Sequence, residues 1–485
     1  MNDTTKRVLG NSLLRVGGYA IGAALFFATI VLIARYLGTA GFGQFSFILA
    51  VVSVFQLIAD MGVRNIVIRN IALEKDKFHL HLSTARTLLW SLSVVSLGCI
   101  AILANLLPLS VDLRHGMYLA GVAVIISFYG LGYSAVLRAF EEMGWDIAGF
   151  ILHKVVFIAL IGLIAQTSLG LQGVFAAMLL ANALQWLYYW AVVRIRHGHV
   201  KPSLNFTAAW SLLWEAFPLG IAEILRRLTR HVDKLLLAAM STPIALGLFS
   251  AAYKFLEAMS PFTTNLTLPL FPVFSRVART SPLMLFRALE RSLKFLYVLG
   301  MPLAVLMFVL SEPLVVLFFG EAYRESATAL RLIAPGVVFI FPTSVYSYVF
   351  TALGRQRQYL GCVAASLVIN TLLDLLLIPA YSYHGAAVAT TAAEGMLFVA
   401  GLIMLHRLGC ELTGLWLLWR PLFAGLGMGL CCWVTKDLGV ASVAFGVISG
   451  LSVYTGLLLL LQTFTPHERA LLQDAMRLKL GSVGQ

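Results

Sequence analysis

The chain has 485 residues, of which 60% are apolar and only 12% charged, with a mean hydropathy of +0.89. That balance excludes an ordinary soluble domain and points to a polytopic membrane protein. The formal net charge of +13 would suggest nucleic acid in a soluble protein. In a membrane protein it is read as loops facing the cytoplasm and anionic headgroups, so no nucleic-acid partner is expected.

Apolar runs near the twenty residues needed to cross a bilayer recur along the chain. They predict an all-α protein of about fourteen spans, at approximately 11–34, 42–67, 87–107, 117–137, 147–165, 171–193, 213–240, 244–268, 293–318, 330–353, 359–378, 386–405, 415–434 and 440–461. The first run follows Lys6 and Arg7 but is too long for a signal peptide and has no small-residue cleavage site, so it is expected to stay as a span. Cys99, Cys362, Cys410, Cys431 and Cys432 lie in or beside apolar segments without C-x-x-C spacing. They read as small core residues rather than zinc ligands or disulfides.

Orientation follows from Lys and Arg placement. With the N-terminus inside, inner segments and adjoining helix ends hold 25 of these residues, Lys154 among them, and outer connections hold 5 (Arg35, Arg114, Arg324, Arg331 and Lys436). Both termini are therefore expected in the cytoplasm. The other cations are Arg226, Arg227, Arg230, Lys234 and Lys254, within spans 7 and 8.

Residues 223–234 are the densest charge in the chain: Glu223, Arg226, Arg227, Arg230, Asp233 and Lys234. At about 100° per residue these six occupy an arc of roughly 120° on a helix, with Ile224, Leu225, Leu228, Val232, Leu235 and Leu236 opposite. Six charges at mid-membrane cost about 15–20 kcal/mol, and a dozen apolar neighbours return only about 4–7 kcal/mol. Such a helix cannot turn that face to lipid. The alternative is a cytoplasmic loop here, with one span from Leu235 to about Phe262. It would leave residues 213–225 too short to cross and put Arg276 to Lys294 outside, against the charge bias.

Other intramembrane charges have two readings each. Lys254 and Glu257 share a helix face, as a buried pair or a substrate contact. Asp60 and Arg64 form an interfacial ion pair or line a cavity. Arg15 meets an incoming headgroup or snorkels. Asp374 and Glu394 are lone carboxylates that hydrogen-bond internally or carry a coupling proton or Na⁺. His79/His81 and His197/His199 lack further ligands, so no metal is expected. Residues 466–480 have apolar positions at helical spacing, suited to the inner membrane surface.

The chain also repeats itself. Gly41-Phe42-Gly43-Gln44-Phe45-Ser46 resembles Ala245-Leu246-Gly247-Leu248-Phe249-Ser250. Val136-Leu137-Arg138-Ala139-Phe140 resembles Val349-Phe350-Thr351-Ala352-Leu353, and 170–174 resembles 382–386. Offsets of 204, 213 and 212 in chain order argue for a duplication. The predicted layout is a six-helix lobe at 1–200, a second at 201–408, and helices 13 and 14 with the tail at 409–485. Parallel repeats of this kind place substrate between them.

Ala34-Arg35-Tyr36-Leu37-Gly38-Thr39-Ala40-Gly41-Phe42-Gly43, Asp233-Lys234-Leu235-Leu236-Leu237, Gly247-Leu248-Phe249-Ser250-Ala251-Ala252-Tyr253-Lys254, Leu317-Phe318-Phe319-Gly320-Glu321-Ala322-Tyr323 and Ala352-Leu353-Gly354-Arg355, in that order, resemble the polysaccharide transporter family of oligosaccharide flippases. That family lies within the multidrug/oligosaccharidyl-lipid/polysaccharide exporter superfamily. The resemblance covers nearly the whole chain. It implies a two-lobed bundle in the inner membrane that alternates between inward and outward openings. The implied substrate is a polyprenyl-diphosphate-linked sugar unit bound for cell-surface polysaccharide, with polysaccharide assembly proteins as partners.

A basic cavity suits that cargo, because guanidinium groups contact phosphate oxygens in a bidentate fork. The expected cavity residues are Arg226, Arg227, Arg230, Lys234, Lys254, Arg15 and Arg64. Asp233, Glu223, Glu257, Asp60, Asp374 and Glu394 are expected in ion coupling or charge pairing. No cofactor is expected beyond a coupling proton or Na⁺. A peptidoglycan-precursor flippase and a cation-coupled multidrug exporter are the alternatives, and a membrane-embedded glycosyltransferase or polymerase is a remote one. No P-loop motif is present, outer connections are short, and an enzyme is not expected.

Overall fold

The computed structural model describes residues 3–198, 205–410, 418–435 and 441–463. For 3–20, 57, 58, 60, 65, 218–226, 279, 282, 441 and 442 it describes the backbone course alone. The described residues form α-helices joined by short turns. In order they are α1 (Asp3–Asp60), α2 (Val63–Leu73), α3 (Phe78–Leu106), α4 (Val111–Ala139), α5 (Met143–Ile164), α6 (Gly170–His197), α7 (Phe206–Met240), α8 (Pro243–Thr267) and α9 (Leu270–Thr280). Then follow α10 (Pro282–Val309), α11 (Ser311–Phe319), α12 (Ser326–Thr343), α13 (Tyr346–Ala352), α14 (Gln356–Tyr381), α15 (Tyr383–Arg407), α16 (Trp419–Thr435) and α17 (Ala441–Leu460).

Ten helical stretches among the described residues are long and apolar enough to cross a membrane, so the chain is a multi-pass, all-helical membrane protein. Four of the fourteen expected spans account for the difference: spans 1 and 2 run together as α1, α7 and α8 carry charges within them, and of the thirteenth span 17 residues, Trp419–Thr435, are described as α16. At about 1.5 Å per residue an unbroken α1 would reach some 87 Å. It breaks at Gly38 (φ 68°, ψ −178°), a conformation open in practice to glycine alone.

The chain divides into two compact units: Met1–Phe262 with Leu367–Ala389, and Thr263–Ser366 with Thr390–Gln485. In the first, α4 packs on α6 and α1 packs on α5 and α7. Val63, Val67, Leu82, Leu88, Val136 and Leu212 lie in its core. Polar clasps hold the helix ends. Buried Asp146 at the start of α5 accepts from Ser134 and, at 2.8 Å, from Arg138 Nε. Arg196 and His197 close on Glu142 at 2.8 and 3.3 Å. At the other ends of these helices, the Tyr36 hydroxyl donates to the Thr167 carbonyl (3.0 Å) and accepts from Gly170 N (2.9 Å).

The repeated motifs meet in this unit. A Cβ at Gly43 would fall on the carbonyl oxygen of Pro243, and a Cβ at Gly247 on that of Thr39. Each glycine thus faces the residue four before the other, a reciprocal backbone contact between α1 and α8. Glycine is needed on both sides because any side chain would hold the backbones apart.

In the second unit α10 packs against α9, α12 and α16. Met301, Leu306, Met428, Cys432 and Leu458 are buried together, and the Tyr454 hydroxyl donates to the Val298 carbonyl at 2.9 Å. Helix α9 was not foreseen. Residues 269–292 read as a basic connection, yet Leu270, Val273, Phe274 and Val277 recur at helical spacing and Phe274 is only 1% exposed.

Candidate functional site

Helix α7 begins with the Asn205 side chain accepting from Ala208 N at 3.0 Å, a side-chain N-cap. It then runs unbroken to Met240. The charged stretch is therefore helical throughout and is not a loop. A two-residue turn follows, and Thr242 Oγ1 accepts from Ala245 N at 3.2 Å to start α8. This tight αα-hairpin sets the charges of α7 beside those of α8.

Glu257 of α8 lies where they meet. Its two oxygens accept from Lys234 Nζ at 2.6 Å and Lys254 Nζ at 2.5 Å. Lys234 is 4% exposed and its ammonium also lies 4.4 Å from the Tyr253 ring centroid. Lys254 lies 5.7 Å from the ring of Phe26 on α1. Both distances are within cation–π reach. One carboxylate and two ammoniums leave a formal surplus of positive charge. An anion with several strong acceptors matches such a site, whereas a cation is opposed by it.

Around this centre, Arg227 Nη1 donates to Gln56 Oε1 of α1 at 3.1 Å, and Arg230 is exposed. On a neighbouring turn of α7, Asp233 accepts from Asn370 Nδ2 of α14. Asp374, one turn further along α14, is fully buried beside Asp233, and neither of its oxygens has a donor among the described residues. The sequence reading of Lys234, Lys254, Glu257, Asp233 and Arg227 thus brings together residues of α7 and α8 and ties them to α1 and α14.

Other expected site residues fall elsewhere. Arg64 lies in α2, across the Met61–Gly62 turn from Asp60, against a small crevice lined by Val67, Leu89, Phe128 and Leu131. Glu394 is in the second unit, on α15. The side chains of Arg15, Asp60, Glu223 and Arg226 lie outside the described residues, as do Lys436, His199 and the tail at 466–480.

Lys154 was assigned to an inner helix end by its sequence neighbourhood, but it stands halfway along α5. Its ammonium lies 4.9 Å from the Phe26 ring and 5.5 Å from that of Phe150. Phe150 and Lys154 are one turn apart on α5, as are Gly22 and Phe26 on α1. A Cβ at Gly22 would occupy the place of the Phe150 ring. A lysine four residues from an aromatic on one apolar helix was the available signal.

A family model described as polysaccharide biosynthesis protein matches residues 8–278, more than half of the chain, and a second, MatE, matches 218–376. The chain is 25% identical over 178 residues to the capsular polysaccharide biosynthesis protein CapF of Staphylococcus aureus, covering 36% of this chain but only 45% of CapF. It is 23% identical over 465 residues to the probable low-salt glycan biosynthesis flippase Agl15 of Haloferax volcanii, covering 91% of this chain and 93% of that protein. In structure it resembles the lipid II flippase MurJ in an inward closed conformation, with a TM-score of 0.72 at 14% identity over 92% of this chain and 98% of that one.

Proposed function

This chain belongs to the polysaccharide biosynthesis protein family, and on that premise we propose that it is a flippase for a polyprenyl-diphosphate-linked oligosaccharide. It moves the unit from the inner to the outer leaflet of the inner membrane by alternating access, for cell-surface polysaccharide. The observation that carries this reading is the cluster on α7 and α8. Lys234 and Lys254 converge on Glu257, with Arg230 and Arg227 one and two turns before Lys234. That surplus of cations inside a membrane helix pair suits a diphosphate. The sugar is carried through a wet, polar path while the polyprenyl tail stays in lipid. The same charge opposes a cationic drug, which separates this reading from a multidrug exporter.

Residues 1–200 and 201–408 are the two repeats in this account, with 409–485 appended. The reciprocal contact of Gly43 and Gly247 supports the duplication. Both termini are cytoplasmic, on the strength of the Lys and Arg bias. Asp233, Asn370 and Asp374 are the coupling group. Two adjoining carboxylates in a buried site are accommodated when a proton or a Na⁺ lies between them, and the Asn370 side chain orients one of them. Assembly proteins that receive the flipped unit are its partners.

Complementation of a flippase-null strain tests this assignment. Neutralising Arg226, Arg227 and Arg230 to glutamine together is expected to abolish surface polysaccharide while the protein still reaches the membrane. Full activity of that triple variant overturns the site assignment.

A further inference from the structure

Lys154 has no part in the cluster as described so far, and no carboxylate among the described residues pairs with it. An ammonium at mid-span without a counter-charge is costly, about 2.5–3.5 kcal/mol on insertion scales, so its place asks for an anion. Its position shows where that anion goes. Lys154 and Lys254 approach the same ring, that of Phe26, at 4.9 and 5.7 Å, which puts the two ammoniums within about 11 Å of each other. Phe26 is 41% exposed, so the ring is not closed off by protein.

A diphosphate can offer one phosphate to each ammonium through a charge-assisted contact of about 2.8 Å, whereas a monophosphate has a single phosphate for the two. The sign of the charge agrees as well: Lys154, Lys234 and Lys254 gather around the single carboxylate of Glu257, and a diphosphate diester carries one negative charge on each phosphate. The Phe150 seat, opened by Gly22 on α1, holds the α1–α5 crossing at the separation that lets both lysines reach Phe26.

We propose that Lys154 and Lys254, set on the Phe26 ring, form a two-point clamp for the diphosphate of the lipid-linked cargo, and that Lys154 is the point that separates a diphosphate from a monophosphate. This rests on the flippase reading above and adds to it a residue and a selectivity.

The test uses the full chain in detergent with farnesyl diphosphate, farnesyl monophosphate and inorganic pyrophosphate as probes. The wild type is expected to bind farnesyl diphosphate about tenfold more tightly than the monophosphate. Lys154→Gln is expected to lower diphosphate affinity about tenfold, leave the monophosphate within about twofold, and stop pyrophosphate from competing. Lys154→Arg is expected to keep the preference. Lys154→Met, which removes the charge without a polar replacement, gives the same binding pattern and guards against a folding defect in the glutamine variant. Unchanged diphosphate binding by both neutral variants overturns the clamp, as does an equal loss for both farnesyl probes. If Lys254→Gln loses diphosphate binding and Lys154→Gln does not, this inference falls and the flippase reading stands. If the wild type binds neither diphosphate probe, the flippase reading itself falls.

Discussion

Glu257 holds two ammoniums, while Lys234 and Lys254 hold one carboxylate between them. The three side chains therefore differ in what their removal leaves behind. Glu257→Gln strands two buried cations, and breaking a buried pair from one side costs about 3–5 kcal/mol. Lys254→Gln leaves Glu257 still paired with Lys234. Thermal unfolding in detergent should rank Glu257→Gln as more damaging than Lys254→Gln, and equal melting temperatures would contradict the shared-carboxylate geometry. The Lys254–Glu257 half of this cluster was legible in the sequence, because residues three apart on a helix share a face. Lys234 was expected as a cavity residue and its pairing with Glu257 was not foreseen, since pairing between helices depends on the turn at Ser241–Thr242 and on helix phase. Lys154 was misplaced for a related reason. A lone cation in an apolar run looks the same at a helix end as at mid-span until the helix ends are fixed.

At the scale of elements, the reciprocal glycines set how closely α1 and α8 approach. Gly43→Ala and Gly247→Ala place a methyl group on a backbone carbonyl that cannot rotate away. Each is expected to lower the melting temperature and the yield of folded protein. Gly98→Ala on α3, where nothing lies within 4 Å of the new Cβ, is expected to be neutral or stabilising by up to about 1 kcal/mol. A Gly43→Ala protein as stable as the wild type would contradict the close crossing.

The clasp at the α4–α5 turn makes a separate prediction about pH. Partial burial acts to raise the Glu142 carboxyl, but hydrogen bonds from Arg196 and His197 outweigh it and hold the group below its ordinary value of 4.5. A depressed folded value means stability that is present above 4.5 and lost as pH falls through the lower folded value. Glu142→Gln is expected to lower stability at neutral pH and to flatten the acid limb of the stability profile, read by melting temperature from pH 7 to 3. An acid limb as steep as the wild type's would assign it to other carboxylates.

Over the whole molecule, the helical class and most crossings were readable from apolar run length, and the break at Gly38 falls between two predicted spans. Helix α9 was hidden because its apolar positions alternate with Ser275, Arg276 and Arg279 in a segment that reads as a basic loop. Contacts between loops group them by side. The Tyr36 hydroxyl reaches the α5–α6 turn and Ser241 pairs with Ser382 at 2.6 Å, joining turns that the expected topology assigns to the outer face. Arg69 pairs with Glu215 and Arg196 with Glu142, joining segments that it assigns to the inner face. Thr242→Cys, at an exposed turn position, is expected to react in intact cells with a reagent that does not cross the membrane. Reaction from the cytoplasmic side alone would invert the topology.

The central claim is that the cation surplus around Glu257 serves an anionic, lipid-linked cargo. The most direct measurement is translocation in reconstituted vesicles, comparing a fluorescent polyprenyl-diphosphate sugar with a cationic dye. The account predicts that the wild type moves the diphosphate lipid and not the dye, and that neutralising Lys234 and Lys254 together abolishes that movement. Transport of the dye without the diphosphate lipid, or full transport by the double variant, would contradict it.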